Sequence, residues 1–199
     1  MNKKKLMLGL ILVLFVFGLA ACKKRTNDDN PGTGNNGGDK AGNVIKMSSE
    51  TKTLEIFNDM INNIEFTSDI AGTTSNSLTA TIMGDGVINA TFNDLGITKE
   101  VKINAVLKGL GVVNNNGDDG YIHVLTEDGH MYYVKVTKTS EPVVYKYDIE
   151  NVESFASLDT DLEGKGESQA AVIIKSKNGE YYTDYKFTGD SNLVLRKIN

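Results

Sequence analysis

Apolar and polar residues alternate in steps of two through much of this chain, and that alternation limits its fold more than any other feature. Between Leu78 and Phe92, Leu78, Ala80 and Ile82 alternate with Thr79 and Thr81, and Ile88, Ala90 and Phe92 alternate with Asn89 and Thr91. Successive side chains of a strand point to opposite faces, so this period means one dry face and one wet face. Gly84-Asp85-Gly86 supplies a tight turn between the halves, and folding there sets Leu78, Ala80 and Ile82 opposite Phe92, Ala90 and Ile88. A slip of one residue would turn every apolar side chain into water, so the register is strongly specified.

The same period returns further on. Val101, Ile103, Ala105 and Leu107 read as one strand. Tyr121 to Thr126 and His130 to Thr137 flank Glu127-Asp128-Gly129, and Ala170 to Ser176 and Glu180 to Phe187 flank Lys177-Asn178-Gly179. Further strands are expected at Val143–Ile149 and Asn192–Ile198. If the Asx-Gly turns have two residues, Ala170, Val172 and Ile174 share a face with Tyr181, Tyr185 and Phe187. His123 then shares one with Tyr121, Leu125, Tyr132, Val134 and Val136. A helical period occurs once: Leu54, Phe57, Ile61 and Ile64, with Met60 beside them, predict a helix over residues 50–64 that Ser48-Ser49 caps and that lies on a sheet. The expected fold is mainly β, an antiparallel meander, sandwich or set of blade-like sheets with one N-terminal amphipathic helix.

The N-terminus carries a different message. Lys3, Lys4 and Lys5 precede an uncharged apolar run from Leu6 to Ala21. Basic residues, a short apolar stretch and small residues at its end make a secretory signal, and the run falls short of the roughly 20 residues of a spanning helix. Leu19-Ala20-Ala21-Cys22 resembles the lipobox of bacterial lipoproteins. The resemblance implies cleavage between Ala21 and Cys22, a diacylglycerol on the Cys22 sulfur, and often a further acyl chain such as palmitate on its amino group. Two or more chains, at about 0.8 kcal/mol per buried CH₂, hold a protein durably on a bilayer. Cys22 is the only cysteine, so no disulfide staples the fold.

Three regions follow: a signal over 1–21, a lipidated tether over 22–43, and a β-rich extracytoplasmic domain over 44–199. The stretch from Lys23 to Asn43 holds five glycines and five asparagines and one aliphatic residue, Ala41, too little apolar surface to offset ordering entropy. As a coil it spans about 25 Å, and Lys23-Lys24-Arg25 follow the lipid where headgroups lie. The net charge is −5, and removing a signal with three lysines and no acids leaves −8. An acidic domain of that kind is not expected to bind nucleic acid, whose affinity comes from neutralised phosphates.

Gly129 and Gly179 lie 50 residues apart, each in a strand–(Asp/Asn)-Gly–Tyr-Tyr setting. That unit resembles the inner hairpin of β-propeller blades, although two copies cannot close a propeller. Asp159-Thr160-Asp161-Leu162-Glu163-Gly164 resembles calcium loops of the EF-hand and integrin types. It departs from them at the fifth position, a Glu, and at the twelfth, Ala170, where an EF-hand has a bidentate Glu. No metal or other cofactor is expected; if calcium binds, Asp159, Asp161 and Glu163 are the ligands. Asn114 to Gly120 reads as a solvated turn.

There are two histidines and no tryptophan, and no Gly-x-Ser-x-Gly elbow or phosphate loop. His123 is expected in the core and His130 beside a turn. No catalytic residue is assigned. The expected role is a binding or scaffolding module on the outer face of the cell membrane, its partners being membrane lipid through Cys22 and a surface protein, peptide or glycan. An extracytoplasmic hydrolase would need His123 among acids in a cleft, and a carrier of small hydrophobic ligands would need an unfilled apolar cavity under the helix. A closed core with exposed tyrosines from the group Tyr132-Tyr133, Tyr145, Tyr147, Tyr181-Tyr182 and Tyr185 would favour the binding module.

Overall fold

The computed structural model describes residues 43–67, 73–75, 77–113 and 118–199. The expected signal, Cys22, the expected tether up to Gly42 and residues Asn114 to Gly117 lie outside them. All described residues belong to one compact unit. In chain order its elements are β1 (Val44–Ile45), β2 (Met47–Lys52), helix α1 (Glu55–Met60) with a 3₁₀ turn at Ile61–Asn63, β3 (Thr73–Ser75), β4 (Leu78–Gly84), β5 (Val87–Phe92), β6 (Ile97–Lys102), β7 (Leu107–Val113), β8 (Asp119–Thr126), β9 (Met131–Thr137), β10 (Val143–Tyr147), β11 (Val152–Thr160), β12 (Gln169–Ser176), β13 (Tyr181–Thr183) and β14 (Leu195–Ile198).

The fold is mainly β. Three antiparallel meanders form three sheets: β3-β4-β5-β6, then β7-β8-β9-β10, then β11-β12-β13-β14. The N-terminal strands complete two of them, β1 lying parallel to β10 and β2 parallel to β14. We refer to the outer, middle and helix-side sheets in that order.

The sheets stack face to face, and parity along each strand decides which neighbour a side chain meets. Ile122 and Val124 of β8 and Val134 and Val136 of β9 pack on Leu78, Ala90 and Phe92 of the outer sheet. Leu125 and Met131 point the other way, onto Phe155, Val172 and Ile174 of the helix-side sheet. With both faces covered, the middle sheet buries the whole run from Ile122 to Thr126. The far face of the helix-side sheet, Ala171, Ile173, Tyr185 and Phe187, is covered by Phe57 and the residues around α1. The outward face of the outer sheet is polar, with Thr91 and Thr98 hydroxyls 3.0 Å apart.

Two glycines set the middle and helix-side sheets close together. A Cβ on Gly111 would stand 2.3 Å from the Ser157 hydroxyl, and one on Gly109 would stand 3.0 Å from the Phe155 ring. These glycines also hide β7 from a sequence reading, because they interrupt its alternation.

The β4–β5 hairpin has the expected register, Leu78 opposite Phe92, Ala80 opposite Ala90 and Ile82 opposite Ile88. Other expectations are corrected. The helix expected over residues 50–64 is six residues long and follows two strands, since residues 47–52 pair with β14 instead of starting it. The stripe itself holds, for Leu54, Phe57, Met60, Ile61 and Ile64 all pack on the helix-side sheet. The alternation from Val101 to Leu107 spans two strands: β6 ends at Lys102, and Ile103 donates its N–H to the Gly86 carbonyl at 2.9 Å on the way to β7.

The two Asx-Gly hairpins turn through three residues, not two. Thr126 N–H donates to the His130 carbonyl at 3.0 Å and Ser176 N–H to that of Glu180 at 2.9 Å, with Gly129 and Gly179 both at φ +83°. One extra residue reverses the parity of the returning strand. Tyr181, Tyr185 and Phe187 therefore pack with Ala171 and Ile173, not with Val172 and Ile174. His123 shares its face with Tyr133 and Met131, while Tyr132, Val134 and Val136 face the outer sheet. No helix among the described residues is long and apolar enough to cross a membrane.

Candidate functional site

The face of the middle sheet that meets the helix-side sheet changes character along its length. Its innermost rung, Leu125, Met131 and Tyr147, is fully buried. The next rung runs Gly111, His123, Tyr133, Tyr145 across β7 to β10, and the one beyond it runs Val113, Tyr121, Lys135, Val143. His123 is 1% exposed, Tyr121, Tyr133 and Tyr145 are half-buried, and Val143 is 37% exposed. The covering sheet thus leaves a row of aromatic residues at its margin.

Within that row Tyr121 and Tyr133 stack at 5.8 Å with 18° between their planes, and Tyr133 and Tyr145 stand 5.6 Å apart. Rings this close leave no gap for a ligand between them, so the row presents edges and hydroxyls. None of the three hydroxyls has a hydrogen-bond partner among the described residues. Three other tyrosine hydroxyls are bound to carboxylates: Tyr147 to Asp184 at 2.5 Å, Tyr182 to Glu180 at 2.7 Å and Tyr185 to Asp161 at 3.4 Å. Burial, with Tyr121 and Asp184 nearby, pushes the Tyr133 hydroxyl above the usual phenol range, so it stays a neutral donor.

Beneath the row a line of polar groups, half-buried at Ser157 and buried at His123, Asp184 and Tyr147, crosses between the sheets. Ser157 of β11 meets His123 Nδ1 at 2.8 Å, and Tyr147 at the end of β10 donates to Asp184 Oδ2. Asp184 follows β13, and its Oδ1 accepts from the Val172 N–H at 2.7 Å. The middle link is open: His123 Nε2 lies 3.9 Å from Asp184 Oδ2 and has no hydrogen-bond partner among the described residues. Burial drives the His123 ring down to about 3, so it is neutral near pH 7. It raises the Asp184 carboxyl to about 6, against the hydrogen bonds from Tyr147 and Val172. A carboxylate opposite Nε2 favours the tautomer with hydrogen there, leaving Nδ1 to accept from Ser157. Serine, histidine and aspartate are thus aligned without a cleft: a substrate carbonyl has no route to a histidine 1% exposed.

Sequence reasoning placed His123 in the core but missed Asp184, 61 residues away. Its one signal was an acid inside the aromatic run Tyr181-Tyr182-Thr183-Asp184-Tyr185. His130 is 21% exposed beside its turn, with Nε2 at 3.7 Å from Asp128.

The acidic loop is organised by its own backbone. Asp161 accepts N–H bonds from Glu163 at 3.1 Å and from Gly166 at 2.5 Å. Burial tends to raise its carboxyl, but those donors and the Gly164 N–H outweigh it and hold it below the usual range. Glu163 is held by Lys165 at 2.7 Å and by the Thr188 N–H and hydroxyl at 2.9 Å. Asp159 lies apart on β11 and is exposed. Among the described residues no three His, Cys, Asp or Glu side chains stand together as a metal site.

A cavity of about 370 Å³ opens beside the β12–β13 turn, lined by Ile149, Asn151, Ser176, Asn178, Glu180 and Tyr182 among others. Lys197, Tyr182 and Asn178 all donate to Glu180 and lower its carboxyl to about 2. These polar groups are already committed to one another. No family model, curated protein or solved structure matches the chain.

Proposed function

We propose that the chain is a bacterial lipoprotein, held on the outer face of the cell membrane by a diacylglycerol on Cys22, whose β domain is a non-enzymatic binding module. The tyrosine row Tyr121, Tyr133 and Tyr145 is its contact surface. The observation that carries the reading is the contrast among hydroxyls: three half-buried phenols in one row are unmet among the described residues, while Tyr147, Tyr182 and Tyr185 are bound to acids inside the fold. Amphipathic rings with one wet end are the side chains that recognition surfaces favour.

Against the hydrolase stands the sealed His123, and against the hydrophobe carrier stands Phe57, which is 2% exposed and fills the space under the helix. Asn43 enters at the margin of the middle sheet, accepting from Lys146 N–H at 2.8 Å one residue from Tyr145, so the tether joins the domain close to the row.

The test is a pull-down from the cell envelope with the lipidated protein and with Tyr121→Ala/Tyr133→Ala. Loss of captured envelope peptide or glycan in the double variant, with the same melting curve, is the expected result. Equal capture by both proteins removes the row as the contact surface.

A further inference from the structure

The Ser157–His123–Asp184–Tyr147 line alternates between sheets at every step, so each of its links ties the middle sheet to the helix-side sheet. Two ties are complete, Ser157–His123 and Tyr147–Asp184, while the Val172 N–H anchors Asp184 within its own sheet; the third tie stands open at 3.9 Å. Its surroundings are dry: Leu125, Met131, Phe155 and Val172 are 0% exposed. A buried ring nitrogen with no partner, aimed at a buried carboxylate, is a rare arrangement that demands an account. The gap is also too short for a bridging water with two ordinary hydrogen bonds.

We propose that the open His123–Asp184 link is a binding site for a single proton, whose uptake closes the link into a hydrogen bond between the two sheets. The balance is simple. Above the transition Asp184 is a carboxylate and His123 a neutral ring with hydrogen on Nε2. One added proton gives either an imidazolium against the carboxylate or a carboxylic acid donating to Nε2, the ring hydrogen moving to Nδ1 and the Ser157 oxygen then accepting it. Both forms hold the same number of protons, and the step belongs to the pair.

The charged and titratable groups on the facing elements do not compete. From the middle sheet these are Tyr121, Tyr145, Tyr133 and Tyr147, the last two with phenols that burial pushes up, and Lys135, which is paired with Asp119 at 3.2 Å. From the helix-side sheet they are Asp159, exposed on β11, Tyr182, and Lys197, paired with Glu180 at 2.7 Å.

In the unfolded chain the first proton goes to His123 near pH 6.5 and the second to Asp184 near 3.9. In the folded chain the pair takes its first proton near 6, by the carboxyl's raised affinity, and its second only near 3. Proton counts therefore match from about pH 6 to about pH 4, and the pair leaves stability nearly level there. Breaking the pair separates two opposed slopes. With Asp184→Asn, His123 stays neutral while its unfolded form charges, so stability is lost as pH falls from about 6.5. With His123→Asn, Asp184 keeps a raised affinity, so stability is gained as pH falls from about 6 to about 4.

The experiment is urea unfolding of the full lipidated chain in nonionic detergent, followed by tyrosine circular dichroism. Variant midpoints minus those of the wild type, from about pH 7.5 to about pH 4.5, cancel the surface groups. The expected result is a difference that falls with acid for Asp184→Asn and rises for His123→Asn. Two differences flat with pH overturn the proposal. If a variant does not fold, carboxyl ¹³C and ring ¹⁵N shifts of the wild type decide: a shared step near pH 6 supports the site, and its absence from either nucleus overturns it.

Discussion

Gly111 fixes the separation of two sheets. Its Cβ would lie 2.3 Å from the Ser157 hydroxyl and 2.9 Å from the Phe155 ring, so Gly111→Ala must push β11 away or break the Ser157–His123 bond. We expect a loss of about 1–3 kcal/mol in urea unfolding, the usual cost of overfilling a packed core. The tyrosines offer a matched pair at the same scale. Tyr147→Phe removes a donor from a fully buried carboxylate and should cost about 1–3 kcal/mol. Tyr133→Phe removes a hydroxyl with no partner and should leave stability unchanged while weakening capture of envelope material. Equal losses in the two would mean that the Tyr133 hydroxyl is held within the fold after all.

Two hairpins, β8–β9 and β12–β13, repeat one another bond for bond. Gly129 N–H donates to Thr126 and Gly179 N–H to Ser176, and the Thr126 and Ser176 hydroxyls accept from the N–H groups of His130 and Glu180, both at 3.1 Å. Their surroundings differ. A Cβ on Gly129 would come within 3.3 Å of the Val152 nitrogen, which bonds the Gly129 carbonyl, whereas Gly179 is open. Alanine in the left-handed region costs about 1–2 kcal/mol, so Gly179→Ala should cost that much and Gly129→Ala more, as compared by thermal unfolding.

Elements were legible where pattern and turn length agreed. The Leu78–Phe92 hairpin was readable to the residue pair, since both of its strands alternate and its turn is short. The two Asx-Gly hairpins were readable as hairpins, but a third loop residue reversed the facing of Tyr181, Tyr185 and Phe187. β7 was hidden by Gly109 and Gly111, whose purpose is set by Phe155 and Ser157 far along the chain. β11 was not anticipated at all, because Val152-Glu153-Ser154-Phe155-Ala156-Ser157 has no regular alternation. The His123–Asp184 apposition depends on how two sheets stack, which local periodicity does not encode.

For the whole molecule, three meanders form a stack with different ends. The outer sheet ends in a threonine-rich face that water can cover, and the helix-side sheet ends under α1. Phe57 is the anchor of that cap, edge-on to Tyr181 at 5.5 Å, and Phe57→Ala should cost about 3 kcal/mol or more. The N-terminal end of the described domain is stitched into two of the three sheets, through β1 on β10 and β2 on β14. The surface attachment proposed above rests on Cys22.

Intact mass of the protein from cells fed a tagged fatty acid, for the wild type and for Cys22→Ala, tests that attachment most directly. The account predicts a chain that begins at Cys22, carries a diacylglycerol-sized addition with tag, and leaves the membrane fraction when Cys22 is replaced. An uncut N-terminus with no added mass, and a Cys22→Ala variant that stays in the membrane, would contradict it and make residues 6–21 the anchor.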